Sequence, residues 1–335
     1  MTETRDFTSA AVSIAIRSYN GRELLRECLP SIEDALRFRG RPDDEIVVVD
    51  DGSTDGTFEF LQKEHPRVRS LRNEERSGSP RAANRAVLAC KNEVVIVMDN
   101  DVKVERDFIG PVLAHFNDPS VFAVTMRSFA FDKTTFRSGG QVGRFRRGFL
   151  RAWENYDVKN ATANPLVLEG RLDSMYAITA HAAFRRTLFE ALGGFDPLFS
   201  PLIWDDTELC YRAWKRGYAT RYEPRCLVYH RLHGTAGKLP RGSEMALISE
   251  RHRLVFHWKM ISDPSLLAGH FAWLSLRLLF SVLTLRKSFL SPFAQAVKML
   301  PEILAKRAEE KKHWVLTDGE ILQKPLDTLA KLGEK

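Results

Sequence analysis

The first hundred residues alternate short apolar runs with segments of helical periodicity, and this alternation constrains the fold more than any other feature of the chain. The apolar runs occupy 12–16, 45–49, 68–71 and 94–98, and the helical segments occupy 23–36, 57–64 and 82–90. Strands that alternate with helices in this way predict an α/β fold with a mostly parallel sheet flanked by helices. In such sheets ligands bind beyond the carboxyl ends of the strands.

Polar residues cluster at those strand ends. The sequence SYN follows the first strand at 18–20, DDGSTDGT follows the second at 50–57, and DND follows the fourth at 99–101. Each group taken singly also has a structural explanation. In the second segment, for example, the Ser, Thr and Asp side chains could simply cap the next helix. Together, three polar endings at one edge of a sheet indicate a binding site.

Asp99 and Asp101 carry the sharpest chemical signal. Residues two apart on an extended chain face the same way, so both carboxylates could face one site. Two carboxylates held that close repel each other unless a cation or a proton relieves them, and a hard ion such as Mg²⁺ or Mn²⁺ with phosphate oxygens fits this need. The structural alternative is that Asp99 caps a turn and Asp101 lies on the surface. An EF-hand is excluded because its sixth position would be Val104 rather than Gly.

Several other nucleotide and hydrolase signatures are absent from the sequence. No GxGxxG follows a predicted strand, and neither a GxxxxGK[ST] loop nor a GxSxG elbow occurs. A haloacid-dehalogenase-type phosphatase stays an alternative, because its nucleophile also follows an apolar strand in a DxD pattern. That motif normally opens its fold, whereas three β-α units come first here. A sugar nucleotidyltransferase would need a Gly-rich basic loop where SYNGRELL stands.

The 335 residues carry 50 Lys and Arg against 43 Asp and Glu, and the basic excess is concentrated in two segments. Residues 137–151 contain five Arg and no acid, and residues 286–313 contain seven Lys or Arg against three Glu. Such patches suit a phosphate-rich partner or an anionic membrane, with a solvated surface as the alternative. Neither segment interleaves stacking aromatic residues with its charges at a recognisable spacing, so no nucleic-acid partner is expected.

Residues 266–285 form a long apolar segment in which Arg277 is the one full charge. Its length could span a bilayer, but a central Arg costs about 2.5–3.5 kcal/mol there. Its polar residues recur at helical spacing as a narrow stripe, namely His270, Arg277, Ser281, Thr284 and Ser288. We therefore expect a helix that lies in the membrane interface, with a buried core or dimer helix as the alternative and 266–313 as the membrane-associating segment.

The cysteines and the N-terminus favour a cytoplasmic protein. The four cysteines form no CxxC pair, so a zinc cage or a disulfide framework is not expected. The first sixteen residues lack the basic region and long apolar core of a signal peptide.

Taken together, these segments resemble the family 2 glycosyltransferases of the GT-A fold. The matching segments are VSIAIRSYNGRELLRECLPSI, DEIVVVDDGSTDGT, GSPRAANRAV, VVIVMDND, ALGGFDPLF, WDDTELCYRAWKRGY and VYHRLHGT, and they occur in the family's order over about residues 10–240. The later ERHRLVFHWKM resembles the nonprocessive subgroup that includes bacterial rhamnosyltransferases. The QxxRW element of processive synthases is absent.

The resemblance implies roles for residues at the nucleotide site. Asn20 and Asp51 would line the nucleotide pocket, with Asp51 at the base edge, and Asp50 would support the same turn. Arg81 and Asn84 would lie on the helix beside this pocket.

The resemblance also implies the metal ligands and the base. Asp99 and Asp101 match the DxD element, so Asp99 would contact the ribose and Asp101 would hold the diphosphate through Mg²⁺ or Mn²⁺. His230 would complete the metal site, and Asp206 would be the catalytic base. The family has Glu-Asp where this chain has Asp205-Asp206, and the shorter Asp205 would change how the acceptor is held.

The implied activity is inverting transfer of a single sugar from a UDP- or dTDP-sugar to a lipid-linked acceptor, such as a polyprenyl diphosphate, or to a surface glycan. We expect a GT-A catalytic domain at 10–240 and a helical region at 241–335. The expected location is the cytoplasmic face of the cell membrane, with a homodimer left open. A catalytically inactive membrane-associated GT-A protein is the remaining alternative.

Overall fold

The computed structural model describes residues 6–231 and 243–333. Its first hundred residues form the predicted β-α repeat, and each predicted strand and helix is present within three residues of the predicted ends. The strands are β1 (Val12–Ser18), β2 (Glu45–Asp50), β3 (Arg69–Arg72) and β4 (Val94–Asp99), and the helices are α1 (Arg22–Arg39), α2 (Thr57–Glu64) and α3 (Ser79–Ala89). β1 lies between β2 and β4, β2 also pairs with β3, and all these pairings are parallel.

The next segment extends this sheet in mixed directions. It contains β5 (Val102–Val104), α4 (Ile109–Ala114), β6 (Val121–Phe129), β7 (Phe136–Ser138), β8 (Gly140–Arg146), β9 (Phe149–Tyr156), α5 (Pro165–Leu168), β10 (His181–Arg185), α6 (Arg186–Ala191), α7 (Asp205–Lys215) and β11 (Ala219–His230). The sheet order is β3-β2-β1-β4-β10-β6-β11-β5, and β7 pairs with β6. β10 is antiparallel to both of its neighbours, and β8 and β9 form a separate hairpin.

Two apolar layers cover the faces of the sheet. Because successive side chains on a strand point to opposite faces, Ile14 and Ile16 pack with α1, α2 and α4, whereas Ala15 packs with α3 and α7. Within α1, buried Leu25, Leu29 and Ile32 follow helical spacing, and the helix ends where Gly40 adopts a left-handed φ of 66°. These two layers hold the strand ends in place, and so they also set the positions of the polar residues that follow the strands.

Within residues 243–333 the structure describes five further helices: α8 (Ser243–Met260), α9 (Pro264–Leu283), α10 (Lys287–Lys298), α11 (Leu300–Lys311) and α12 (Asp318–Leu332). α8 shares a core with the sheet, because the Phe256 ring packs against Trp204 and Tyr211. The predicted domain boundary between residues 240 and 241 lies outside the described residues, and the division into two units stays a prediction.

A buried charge cluster joins α8 to the α6–α7 region. The Lys259 ammonium lies 2.5 Å from an Asp196 oxygen and 2.7 Å from a Glu208 oxygen, and Arg212 pairs with the other Glu208 oxygen at 2.9 Å. Burial alone would raise the pKa of Asp196, but Lys259 and Lys306 outweigh it and hold that pKa well below its usual range. Removal of one partner would therefore leave uncompensated buried charge.

We expect Lys259→Met to lower the free energy of unfolding by about 3–5 kcal/mol, because it leaves two buried carboxylates without their shared cation. Lys259 is only 2% exposed. Urea unfolding followed by circular dichroism measures this change. The matched control is Lys312→Met, which removes an exposed ion pair with Glu309 and should leave the unfolding midpoint unchanged. Equal midpoints for the two variants would contradict the structural importance of the cluster.

Candidate active site

The ends of β4 and β11 bring Asp99, Asp101 and His230 together. β11 pairs with β5 so that His230 lies opposite Val102, directly after the DND turn. The His230 Nε2 lies 3.2 Å from Asp101 Oδ1, and one ligand atom from each of the three residues lies within 4.8 Å of the others. Two carboxylates and an imidazole in this arrangement fit a divalent cation that draws its remaining ligands from oxygens of a substrate. The structure therefore assembles the predicted metal ligands, whose role stays a prediction.

The electrostatics of this cluster depend on a third partner, Arg17. Its guanidinium lies 2.7 Å from Asp99 Oδ1. Burial raises the pKa of Asp99, and the adjacent Asp101 carboxylate raises it further, while Arg17 lowers it. Burial lowers the pKa of His230, but its hydrogen bond to Asp101 and the nearby acids outweigh burial, so the net change is upward. The neighbouring His181 is buried, and its pKa falls to about 3.

A cavity of about 140 Å³ opens beside this cluster. The residues that line it are Arg17, Ser18, Tyr19, Asp51, Arg76, Ser79, Ala82, Asp99, Pro201 and Leu202. The Arg76 guanidinium lies 4.3 Å from the centre of the Tyr19 ring, which gives the cavity one aromatic and cationic wall. We call this space the strand-end cavity, because its walls follow β1, β2 and β4.

Asp51 organises the loop that begins α3. One carboxylate oxygen accepts hydrogen bonds from the Asn73 amide at 2.6 Å, the Ser77 hydroxyl at 2.7 Å and the Ser77 backbone N–H at 2.9 Å. The other oxygen accepts from the Gly78 backbone N–H at 3.0 Å. Asp51 therefore lines the cavity and also holds the loop that forms one of the cavity walls. A hydrogen bond from a nucleobase would go to the Asp51 oxygen that accepts only from Gly78.

Asn20 and Asp50 stabilise the loop that follows β2. The Asn20 side-chain oxygen accepts from the Thr54 N–H at 2.8 Å, and the Asn20 N–H donates to the Ser53 hydroxyl at 2.8 Å. Asp50 accepts from the Ser53 N–H at 3.1 Å, and burial raises the Asp50 pKa. These contacts agree with the supporting role predicted for Asp50. Asn20, predicted to line the nucleotide pocket, is not among the described residues that line the cavity, and its nucleotide-binding role stays a prediction.

The structure places the two predicted α3 residues differently. Arg81 is exposed, whereas Asn84 makes two 2.8 Å hydrogen bonds to the backbone of Phe195 and so holds the loop after α6. Among the described residues that line the cavity, α3 contributes Ser79 and Ala82 instead. The nucleotide-binding roles of Arg81 and Asn84 stay predictions, and the observed contacts of Asn84 are structural.

Asp205 and Asp206 open α7, as the acidic segment predicted. Asp205 is 5% exposed, and burial, reinforced by Asp206, raises its pKa to about 7. Burial also raises the pKa of Asp206, while hydrogen bonds from the backbone of Thr207 and Thr179 lower it. Arg17 lowers the pKa of both carboxyls, so it lies in the field of this pair as well as beside Asp99. A carboxylate with a raised pKa suits general-base chemistry near neutral pH.

An unusual backbone turn directly precedes this carboxylate pair. Ile203 and Trp204 both have a φ of 72°, a left-handed conformation that is rare for a β-branched or a bulky side chain. α8 holds the turn, because the His252 ring hydrogen-bonds the Ile203 carbonyl at 2.9 Å and Arg251 donates to the Ser200 carbonyl at 2.7 Å. Such strain persists only where the surrounding structure enforces it, and it is concentrated at functional sites.

Sequence analysis did not single out Arg17 or Arg76. Arg17 had a detectable signal, because it is a charged residue in the otherwise apolar run VSIAIRS. Arg76 had none, because it lies in a loop rich in charged residues. The Ile203–Trp204 turn was also missed, since neither residue type favours a positive φ.

The comparisons with known proteins agree with this geometry. Residues 13–193, more than half of the chain, match the model of "Glycosyl transferase family 2", so the chain belongs to this family. The chain is 30% identical over 159 residues to TuaG of Bacillus subtilis (strain 168), a protein named as a glycosyltransferase of teichuronic acid biosynthesis. That match covers 47% of this chain and 58% of TuaG. The chain spans about half the length of the curated relatives it matches.

Two solved structures share the fold. GalNAc-T7 with UDP, GalNAc and Mn²⁺ gives a TM-score of 0.54 at 18% identity and covers 82% of this chain and 58% of its own. The mannosyltransferase PcManGT of Pyrobaculum calidifontis, in complex with GDP-Man and Mn²⁺, gives a TM-score of 0.50 at 19% identity and covers 90% and 86%. The predictions of family and fold are confirmed, the rhamnosyltransferase-like subgroup stays a prediction, and the family match argues against the phosphatase alternative.

Proposed function

We propose that the protein transfers a single sugar, with inversion, from a UDP- or dTDP-sugar to a hydroxyl of a lipid-linked or cell-surface glycan acceptor. The observation that carries this proposal is the convergence of two acidic groups around Arg17. The Asp99–Asp101–His230 cluster lies at the end of β4, and the Asp205–Asp206 pair lies within the field of the same Arg17. A nucleotide-sugar transferase needs one group to hold the diphosphate and another to activate the acceptor.

Asp101 and His230, with Asp99 beside them, are the residues that would hold Mg²⁺ or Mn²⁺. When bound, the ion supplies positive charge that stabilises the leaving diphosphate. The donor set supports this assignment, and so do the relatives of this fold that were solved with Mn²⁺ and a nucleotide or nucleotide sugar. Asp99, held by Arg17, is then available to the ribose, and Asp51 and Tyr19 flank the space for the base.

The transfer itself would use Asp206 as the base. Its carboxylate takes the proton of the acceptor hydroxyl as that oxygen attacks the anomeric carbon, and the bond to the diphosphate breaks on the opposite side. One displacement of this kind inverts the anomeric carbon and needs no covalent nucleophile. Asp205 is buried beside Asp206 and would orient the acceptor. Positioning of both substrates supplies a large part of the acceleration.

We expect two substitutions to separate these roles. Asp101→Asn should abolish Mn²⁺-dependent binding of UDP or dTDP, because the amide removes one charge from the ligand set. Asp206→Asn should retain that binding and lose transfer by about 10²–10⁴-fold. Calorimetric titration of each nucleotide with and without Mn²⁺, together with release of nucleoside diphosphate from a donor panel, measures both effects.

The control for these variants is Asp132→Asn, in an exposed turn stabilised by Thr134 and Thr135, which should leave both measurements unchanged. If the wild-type protein bound neither nucleotide under any metal condition, the proposed function would be wrong. Turnover without nucleotide binding, such as release of phosphate from a simple phosphomonoester, would favour the phosphatase instead.

Arg17 gives a pH-dependent prediction. A base acts deprotonated, so kcat/KM falls as pH drops through its pKa, and Arg17 lowers the pKa of both Asp205 and Asp206. Arg17→Met should therefore move the acidic limb of the kcat/KM profile to higher pH. Arg76→Met, at another arginine of the cavity, should weaken donor binding without moving this limb. An unchanged limb in Arg17→Met would contradict the assignment of the base.

We also propose that the protein docks on the cytoplasmic face of an anionic membrane through α9. Within the described residues, α9 is the one helix with the length and apolar composition to cross a bilayer. The last two residues of the predicted polar stripe, Thr284 and Ser288, lie beyond α9 and are exposed. The part of the stripe that lies within α9 faces the protein: His270 bonds the Gly148 carbonyl at 2.8 Å, Arg277 pairs with Glu250 at 2.7 Å, and Ser281 is buried. These contacts favour a helix that lies along the surface, because a spanning helix would have to break them.

The outer face of α9 is apolar. Its exposed residues are Phe271, Trp273, Leu276, Leu279, Phe280, Val282 and Leu283, with Leu285 just beyond. Such a continuous exposed patch indicates an interaction surface. Arg147 and Arg286 border it, as the Arg147 side chain lines a cavity with Trp273 and the Arg286 guanidinium lies 5.7 Å from the Phe280 ring. An apolar face bordered by cations complements an anionic bilayer.

We expect the protein to cosediment with phosphatidylglycerol-containing vesicles and less with pure phosphatidylcholine. Leu279→Glu should lower vesicle affinity by about tenfold or more, because it places a charge in the face of α9 that would be buried in the bilayer. The control is Leu88→Glu on α3, since Leu88 and Leu279 are both 59% exposed. If neither vesicle binds and Leu279→Glu converts a dimer to a monomer, the face is a homodimer interface and the membrane proposal is wrong.

A further inference from the structure

A basic trough lies across the turn at residues 201–204 from the strand-end cavity. Three adjoining cavities of about 450, 420 and 470 Å³ run between the β8–β9 hairpin and helices α8 and α9. Arg151 lines all three, Arg147 and Arg253 each line two, and Arg277 lines one. We call this continuous space, defined by these four residues, the arginine trough.

Positive charge in the trough exceeds the acid available to it. Glu250 lies among the arginines and is shared between Arg253 at 2.8 Å and Arg277 at 2.7 Å. The other acid of the lining, Glu154, pairs with Arg144. Within the described residues, Arg147 and Arg151 have no ion pair. The trough therefore holds a surplus of cations that no side chain of the described protein neutralises.

Part of this charge is buried. Arg253 is 9% exposed, its Nε is buried without a hydrogen-bond partner, and its guanidinium lies 4.6 Å from the Phe149 ring. Burial lowers the pKa of Arg253, and Arg277 and Arg151 lower it further, against the opposite effect of Glu250. Like charges held together beside apolar walls are stabilised by an anion that bridges them, and guanidinium groups match phosphate geometry closely.

The two ends of the trough differ in chemistry. At one end Trp273, Leu276 and Phe280 extend it into the apolar face of α9. At the other end it is lined by Ile203 and Trp204, and Trp204 directly precedes Asp205. One ligand could therefore place a hydrocarbon chain on α9, an anion on the arginines and a sugar hydroxyl toward the carboxylate pair.

We propose that the arginine trough binds the phosphate or diphosphate of a lipid-linked acceptor, with its hydrocarbon chain against α9 and its sugar toward Asp206. This inference rests on the proposed transferase function and names the acceptor class for it. The trough is separate from the site of the donor diphosphate, because residues 201–202 line the strand-end cavity whereas residues 203–204 line the trough. Arg147 and Arg151 bind the anion, and Arg253 and Arg277 shape its site.

Farnesyl diphosphate is the probe, and tryptophan fluorescence is the readout, because Trp153, Trp204 and Trp273 line the trough. We expect saturable binding of farnesyl diphosphate and at least tenfold weaker binding of inorganic diphosphate and of farnesol. The double variant Arg147→Gln/Arg151→Gln should weaken farnesyl diphosphate binding by about 10- to 100-fold. Neither arginine has an ion pair within the described residues, so this variant should fold normally, as its melting temperature would verify.

The matched control is Arg37→Gln, an exposed arginine of α1 that pairs with Asp34 outside the trough, which should bind farnesyl diphosphate like the wild type. The double variant should also retain Mn²⁺-dependent nucleotide binding, and Asp101→Asn should retain farnesyl diphosphate binding. These two measurements test the two proposals separately. If the wild-type protein bound no nucleotide but did bind farnesyl diphosphate, the proposed transferase function would be wrong, whereas the anion site in the trough would stand.

Three results would overturn the trough proposal. The first is unchanged farnesyl diphosphate affinity in the double variant. The second is displacement of farnesyl diphosphate by UDP and Mn²⁺, which would place the anion in the donor site. The third is loss of binding to phosphatidylglycerol vesicles in the double variant while farnesyl diphosphate binding persists, which would assign the arginines to lipid headgroups of the membrane.

Discussion

The ion pair between Arg17 and Asp99 is the contact on which the site depends. The fold gathers four acidic side chains near one edge of a sheet, where burial raises the pKa of three of them. Arg17, a half-buried cation at the end of β1, lies 2.7 Å from Asp99 and lowers the pKa of Asp205 and Asp206. Arg17 therefore favours the charged form of both the carboxyl at the end of β4 and the carboxyl pair at the start of α7.

The C-terminal helices contribute directly to the structure of this site. α8 holds the strained turn before Asp205 through His252 and Arg251, and Lys259 on the same helix joins the buried charges behind α7. The outer helices then give the molecule an apolar face, and the arginine trough lies between that face and the carboxylate pair. Catalytic geometry and surface chemistry are therefore built from one continuous core.

Sequence determined the first half of the fold well, because local periodicity and strand-end residues carry its information. The order of β10, β6 and β11 was not predictable in the same way, since their pairings join residues far apart in the chain and residues 120–170 lack clear periodicity. The pairing of Asp99 with Asp101 followed from their spacing in the sequence, whereas His230 was added to them only through the family resemblance. The polar stripe was visible in the sequence, but only tertiary contacts reveal that its residues within α9 face inward and that the apolar side of the helix is exposed.

The turn at residues 201–204 has a consequence for how such a protein can change over time. Its first half borders one cavity and its second half borders another, so a single stretch of four residues is the wall between them. Substitutions on the hairpin or on α9 alter one chamber without touching the strand ends that build the other. Because one backbone turn separates the two cavities, the residues of the trough can change during evolution while the strand-end cavity stays the same. The specificity of such a protein could then change without loss of the site at the strand ends.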